Sequence, residues 1–370
     1  MTVREPAAVG EPVSVGSRSL VDDAGAWDAF VTSADLGSYL QLDEWRTVKA
    51  VNGWAGRRIV ADGPGGPIGA QVLIRRAGPL PWAFAYAPRG PVTHDWSPAA
   101  IDALTAALRS DLGRGQRVSH LRVDPEVERD GPLDPDGGLR RALRDAGWRP
   151  APKIQPETTR VIDLRADEEA LWGDLRKKWR QYVNKARSGG IVVTEAEGDR
   201  MGDFYRIISE TAARAGFIVR AESAYRDVWE ALRPIGAAQL LFAGSPEGEP
   251  LAALFLVRCG PRVVEPYGGM TAAGAETRAN YLLKWEAIRR SRAGGATTYD
   301  LWGLAHPGIA HFKAGFGGRE VRYVGAWDLV FDPLGHRAYD VAIRTSEWWA
   351  LRRHGISNGR DGGGTGDALG

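Results

Sequence analysis

The chain has 370 residues, 44% of them apolar and 25% charged, proportions that exclude a disordered or fibrous protein and leave room for two domains of ordinary size. Its 48 basic and 46 acidic side chains nearly cancel, which excludes a nucleic-acid binder that works by overall charge and requires any such contact to be local. Cys259 is the only cysteine, which excludes an internal disulfide framework and a cysteine-rich zinc site.

Residues 1–17 lack the apolar segment of a signal peptide, and no run approaches the ~18 apolar residues of a membrane span. A cytoplasmic monomer with disordered ends at 1–17 and 355–370 is expected. Helices are predicted over Ala26–Thr32 and Gln41–Val51. Strand Arg57–Asp62 then turns through a Gly/Pro cluster into Ile68–Arg75, followed by strand Trp82–Tyr86, a helix from Ser97 to Gly113 and strand Val118–Asp124. After a Pro-rich link, an amphipathic helix is predicted from about Asp167 to Arg187, with Leu171, Leu175, Trp179, Val183 and Ala186 as its buried stripe. The first pattern then recurs: helices Arg200–Arg214 and Ser223–Leu232, with Ser223 as N-cap, strands Gln239–Ala243, Leu251–Val257 and Arg262–Tyr267, helix Thr277–Ala293 and strand Thr297–Trp302. Pro67 matches Pro250, Tyr86 matches Tyr267 and Gly115 matches Gly295, a repeat of about 180 residues.

Two helices, three antiparallel strands, a crossover helix and a parallel strand form the order of a GNAT-type acyltransferase sheet. The fold class is therefore mixed α/β, with two tandem GNAT-like domains at 18–158 and 159–319 and the segment 320–352 returning to the first. A coenzyme A donor would need a glycine turn opening the crossover helix. The one formal match, Arg233 to Ala238, closes a helix instead, so the donor is expected to be something other than coenzyme A and no cofactor is expected. His306 and His311 are five residues apart without acidic company, so no metal is expected either.

The densest constellation is Tyr299-Asp300-Leu301-Trp302-Gly303, then Phe312-Lys313-Ala314-Gly315-Phe316-Gly317-Gly318 and Tyr323-Val324-Gly325. Together with Tyr281 to Glu286, Lys185 to Gly190, Glu210 to Arg214 with Phe217, Gln41 to Lys49 and Tyr86 to Val92, it resembles the Fem (FemA/FemB/FemX) aminoacyltransferases over residues 35–345. The resemblance implies an enzyme that takes an amino acid from aminoacyl-tRNA, as co-substrate, and joins it to the side-chain amine of the third stem-peptide residue of a peptidoglycan precursor. Glycine is the first choice of amino acid, and the precursor is a lipid-linked or nucleotide-linked muramyl pentapeptide. The first of these would bring peripheral contact with the inner membrane surface. Alternatives are the same transfer onto a small soluble amine, or a relative that binds without transferring. No charged heptad run supports the coiled-coil insertion found in some members.

Transfer from an ester to an amine needs a deprotonated amine and stabilisation of a tetrahedral oxyanion, without a covalent enzyme intermediate. Lys313, beside Phe312 in a Gly-rich loop, is the expected cation; its alternative is a solvated lysine on a short helix. Asp300 either receives the amine's proton or holds the following loop. Tyr267, unless it is a packed strand tyrosine, and Tyr86 are expected precursor-binding hydroxyls, Phe312 a further substrate contact, and Lys49 and Arg89 the cations for its diphosphate. Arg214 is read as a partner for phosphate or carboxylate, or as a plain surface arginine. Arg176, Lys177, Lys178 and Arg180, with Lys185 and Arg187, form the densest positive patch, either a track for tRNA or a solvated face.

Overall fold

The computed structural model describes residues 17–76, 80–113, 117–216, 218–304 and 307–342. The terminal segments read as disordered, apart from residue 17 itself, lie outside the described residues, as do Gly115, Phe217 and His306.

Helices α1 (Ser17–Asp22), α2 (Ala24–Ser33) and α3 (Asp43–Ala50) precede the hairpin β1 (Ala55–Gly63) and β2 (Gly66–Arg76). Then come β3 (Ala83–Ala87), the short β4 (Val92–Thr93), helix α4 (Pro98–Leu112) and β5 (Val118–Val123). Ser97 caps α4 through its hydroxyl, with Pro98 in the first turn where its missing N–H costs nothing. Helix α5 (Gly138–Asp145) and β6 (Trp148–Ala151) complete this half, and β7 (Thr158–Asp163) opens the next.

The predicted long helix is two, α6 (Glu168–Asp174) and α7 (Lys177–Ser188). Asp167 caps α6, but Leu175 and Arg176 turn extended, with ψ 136 and 139. The Arg176 N–H donates to the Gly315 carbonyl at 2.9 Å, and the Arg180 guanidinium takes the carbonyls of Gly173 and Leu175 freed at the break. All five stripe residues are buried nonetheless. Strand β8 (Val192–Ala196) leads into α8 (Met201–Ala215) and α9 (Glu222–Leu232). Ala221, not Ser223, is the N-cap of α9, and it makes no side-chain cap bond.

Strands β9 (Ala238–Gly244), β10 (Pro250–Cys259) and β11 (Arg262–Met270) form the second meander. Arg278, at φ 65, divides α10 (Ala272–Thr277) from α11 (Ala279–Ala293), so the crossover helix begins two residues later than predicted. The chain continues with β12 (Thr298–Gly303), α12 (Pro307–Ala314), β13 (Arg319–Arg322) and β14 (Ala326–Val330), and a last helical stretch starts at Pro333.

Two mixed sheets result. The first has the order β1-β2-β3-β5-β14-β6, with β4 also on β2, and the second β13-β7-β12-β11-β10-β9-β8. Each contains one parallel pair, β3 with β5 and β11 with β12, as the repeat requires. The chain ends its second sheet at β13 and inserts β14 into the first, between β5 and β6.

Strands β2 and β10 are buried on both faces over most of their length, which fits continuous apolar runs rather than alternating ones. One core packs α4 on the first sheet, a second packs α7 and α11 on the second sheet, and a third is shared. In the shared core Trp27, Trp45 and Phe84 of the first half meet Phe204, Trp229 and Phe255 of the second. Among the described residues, no helix is long and apolar enough to cross a membrane.

Candidate functional site

A cleft of about 140 Å³, open to solvent, lies where the two halves meet. Its walls include Lys49 and Tyr86 from the first half and Arg220, Tyr267 and Trp302 from the second. Helix α3 delivers Lys49 in its last turn, where a cation suits the macrodipole, with the ammonium 5.2 Å from the Trp45 ring centre. Tyr86 donates to Asp124 Oδ2 at 2.8 Å. Burial and the Asp124 charge raise its hydroxyl well above the usual tyrosine range, so it meets the cleft as a neutral phenol. Tyr267 packs edge-on against Tyr225 at 5.0 Å. The structure thus brings Lys49, Tyr86 and Tyr267 together.

Arg89 is behind this cleft, not in it. It is 3% exposed, its N–H donates to Asp124 Oδ1, and its guanidinium faces Glu126 at 3.3 Å and the Pro156 carbonyl at 2.9 Å. A guanidinium so engaged is not available to a diphosphate. Arg214 is misplaced as well: it pairs with Glu210 on α8 and donates to the Met270 carbonyl, pinning the end of β11. The cleft arginine is Arg220, six residues further on, which the sequence reading passed over because no local pattern singles it out.

Asp300 is fully buried and committed. It accepts from the Thr159 hydroxyl, from the Arg262 guanidinium and, at 2.7 Å, from the Trp302 N–H. Arg262 also pairs with Glu126 of the first half. The second of the two expectations for Asp300 therefore holds: it fixes the following loop and ties the halves together. Both of its carboxylate oxygens are engaged within the protein.

The strands β11 and β12 pair only through Arg262–Thr298, Val263–Tyr299 and Val264–Asp300. Beyond that point they separate, whereas β3 and β5 stay paired to Ala87–Val123. Among the described residues, this separation of the parallel strand ends is seen in the second half and not in the first. Glu265 lies at its root, accepting from the Lys284 ammonium and from the Tyr299 hydroxyl at 2.8 Å. Lys284 also lies 5.6 Å from the Phe312 ring centre. Phe312 itself, half-buried, packs against Tyr281 and Phe316 at the edge of the second core.

Lys313, on α12, is half-buried at the same opening and donates to the carbonyl oxygens of Gly303 at 2.7 Å and Trp302 at 3.3 Å. Burial lowers its pKa to about 8; the Lys284 charge adds to that shift and the Glu265 charge opposes it. Trp302 has φ 62, rare for a bulky residue, and its ring forms cleft wall 5.2 Å from the Arg89 guanidinium. The Lys313 ammonium therefore holds the backbone whose side chain faces the cleft. The close approach that Gly315 permits is to the protein itself, since a Cβ there would lie 2.2 Å from the Trp179 indole.

On α7, Lys177 and Lys178 are exposed. Arg176 contacts His311 at 3.1 Å, and Arg180 is spent on the helix break. The patch is thus three exposed lysines, Lys177, Lys178 and Lys185, with Arg176, Arg180 and Arg187 each already partnered, Arg187 by Glu286 at 3.6 Å.

Tandem sheets with one parallel pair each, the second opened at its strand ends, define a tandem GNAT-like fold. Residues 173–314 match the family model described as an acetyltransferase (GNAT) domain. The lipid II:glycine glycyltransferase of Staphylococcus saprophyticus is 29% identical over 220 residues, 58% of this chain and 53% of that protein. Its namesake from Staphylococcus aureus is 27% identical over 230 residues, 61% of this chain and 54% of that protein. The chain spans about half the length of these curated relatives. Among solved structures, that of FemX superposes with a TM-score of 0.76 at 22% identity, covering 83% of this chain and 96% of the other. A tandem GNAT protein from the clavulanic acid biosynthesis pathway superposes at 0.50 with 14% identity, covering 84% and 97%. The two solved structures share the fold, and the matches together bear out the resemblance to the Fem family.

Proposed function

We propose that the protein is an acyltransferase that moves glycine from glycyl-tRNA to the side-chain amine of a peptidoglycan stem peptide, with a lipid-linked precursor as acceptor. The amine nitrogen bonds to the glycyl carbonyl carbon, the ester C–O bond to the tRNA ribose breaks, and the released hydroxyl ends with the proton the amine gives up. The observation that carries this reading is the bridge from Lys313 through Trp302 to the interdomain cleft. It joins a cation at the strand opening to a cleft with two more basic residues. The lipid-linked acceptor and glycine are taken from the names of the relatives.

In this reading the precursor occupies the cleft, with Lys49 and Arg220 near its diphosphate and Tyr86 and Tyr267 orienting the stem. The aminoacyl end enters at the separation of β11 and β12. The Lys313 ammonium stabilises the oxyanion there, where low dielectric strengthens the interaction. Lys177 and Lys178 contact the tRNA backbone. The test is incubation of purified protein with radiolabelled glycyl-tRNA and lipid-linked or nucleotide-linked muramyl pentapeptide. Label in the lipid-linked product supports the proposal; label in neither, with other aminoacyl-tRNAs also inert, refutes it.

A further inference from the structure

A second cluster of chemistry-bearing side chains lies in the first half, apart from every residue given a role above. His120 on β5 and Asp328 on β14 share one face of the first sheet, since β14 pairs with β5 as Asp328–Arg122 and Val330–His120. The chain then turns at Asp332 into the helical stretch from Pro333, which lays His336 over the same face. The rings of His120 and His336 meet edge-on at 4.6 Å. We infer that His120, Asp328 and His336 form a site for one divalent transition-metal ion of the zinc type, which fastens the C-terminal helix to the first sheet.

Three observations carry this. The ligand atoms of the three side chains all lie within 4.8 Å of one another, and His336 Nε2 and Asp328 Oδ2 are 3.1 Å apart. Ligand bonds of about 2.0–2.2 Å place two ligands of one tetrahedral ion roughly 3.3–3.6 Å apart. The His336–Asp328 pair is already that close, and side-chain rotations of roughly 1–1.5 Å, with the half-buried His336 the freest to move, close the remaining separations. The second observation is that His120 Nε2 is buried without a hydrogen-bond partner, a costly state for a polar atom unless something binds it.

The third is that His120 and Asp328 each have an outer partner of the kind metal sites use. His120 Nδ1 meets the Ser119 hydroxyl at 2.9 Å, leaving Nε2 as the outward nitrogen. His336 Nε2 faces Asp328, while its Nδ1 is 3.9 Å from Asp340, too far for a hydrogen bond. Asp328 is held by Arg122 through both oxygens, at 2.7 and 2.8 Å, which fixes its plane. The guanidinium charge opposes a cation, and the two carboxylates Asp328 and Asp340 offset it. Two imidazoles and one carboxylate suit zinc, whereas calcium and magnesium take oxygen donors. No local motif could reveal the site, because His120 and His336 lie 216 residues apart.

The test uses the full chain, freed of metal by a chelator and titrated with Zn²⁺ by calorimetry and with Co²⁺ by absorbance. One ion per chain is expected, with affinity at least about tenfold weaker in His336→Gln. That variant changes a half-buried side chain and spares the fully buried His120. A triple variant, His94→Ala, His311→Ala, His354→Ala, should bind as the parent does. Absence of binding, equal affinity in His336→Gln, or loss in the triple variant would each overturn the site and leave the cluster as a hydrogen-bonded ion pair.

Discussion

The ammonium of Lys313 donates to the Gly303 carbonyl at 2.7 Å, with the Trp302 carbonyl 3.3 Å away. One lysine therefore supplies a charge at the strand opening and holds the loop whose tryptophan walls the cleft. Lys313→Met removes both, and kcat for transfer should fall about 100-fold or more, as when a single oxyanion donor is lost. Lys313→Arg keeps the charge but cannot place a planar fork between the same carbonyls, and it should fall nearly as far. Single-turnover kinetics at saturating substrates checks both variants.

The lowered pKa of Lys313, about 8, gives a directional pH test. Its ammonium is present below that value and lost as the pH rises through it, while the acceptor amine gains nucleophilicity over the same range. The rate should therefore peak and decline above about pH 8, and the decline should vanish in Lys313→Met. A wild-type rate that rose steadily through pH 9.5 would contradict a requirement for the Lys313 ammonium.

Lys49, Arg220 and Tyr267 line the cleft, and Arg214 does not. Lys49→Ala and Arg220→Ala should each raise the precursor KM about tenfold with little change in kcat, the mark of lost uniform binding. Arg214→Ala should leave the KM near that of the wild type. Initial rates at varied precursor concentration separate the two outcomes.

Arg262, Glu126 and Asp300 join the halves through buried charges. Removing one partner strands the others, so Glu126→Ala should cost about 3–5 kcal/mol. Asp300→Asn, which keeps the shape, should lower the urea midpoint by less while its folded fraction still transfers. Equilibrium unfolding followed by tryptophan fluorescence, with activity measured below the transition, tests this.

The repeated sheets were legible because alternation, Pro/Gly turns and crossover helices are local signals. The break at Leu175–Arg176 was not, since it depends on a bond from Arg176 to Gly315, well over a hundred residues away. Lys49, Tyr86 and Tyr267 could be gathered from corresponding positions in the repeat and the family resemblance. Arg89 and Asp300 carried the residue types of a site, yet both are consumed by buried partners that only the packing of the two halves creates. Arg220 is the converse, a cleft residue without a motif.

The most direct test of the account is label transfer from radiolabelled glycyl-tRNA to lipid-linked muramyl pentapeptide, run side by side with wild-type protein and Lys313→Met of matched thermal stability. The account predicts labelled lipid product with the wild type and about a hundredth or less of that rate with the variant. Equal transfer by the two proteins would contradict the assignment of Lys313, and no transfer by either protein, with the wild type folded, would contradict the proposed reaction.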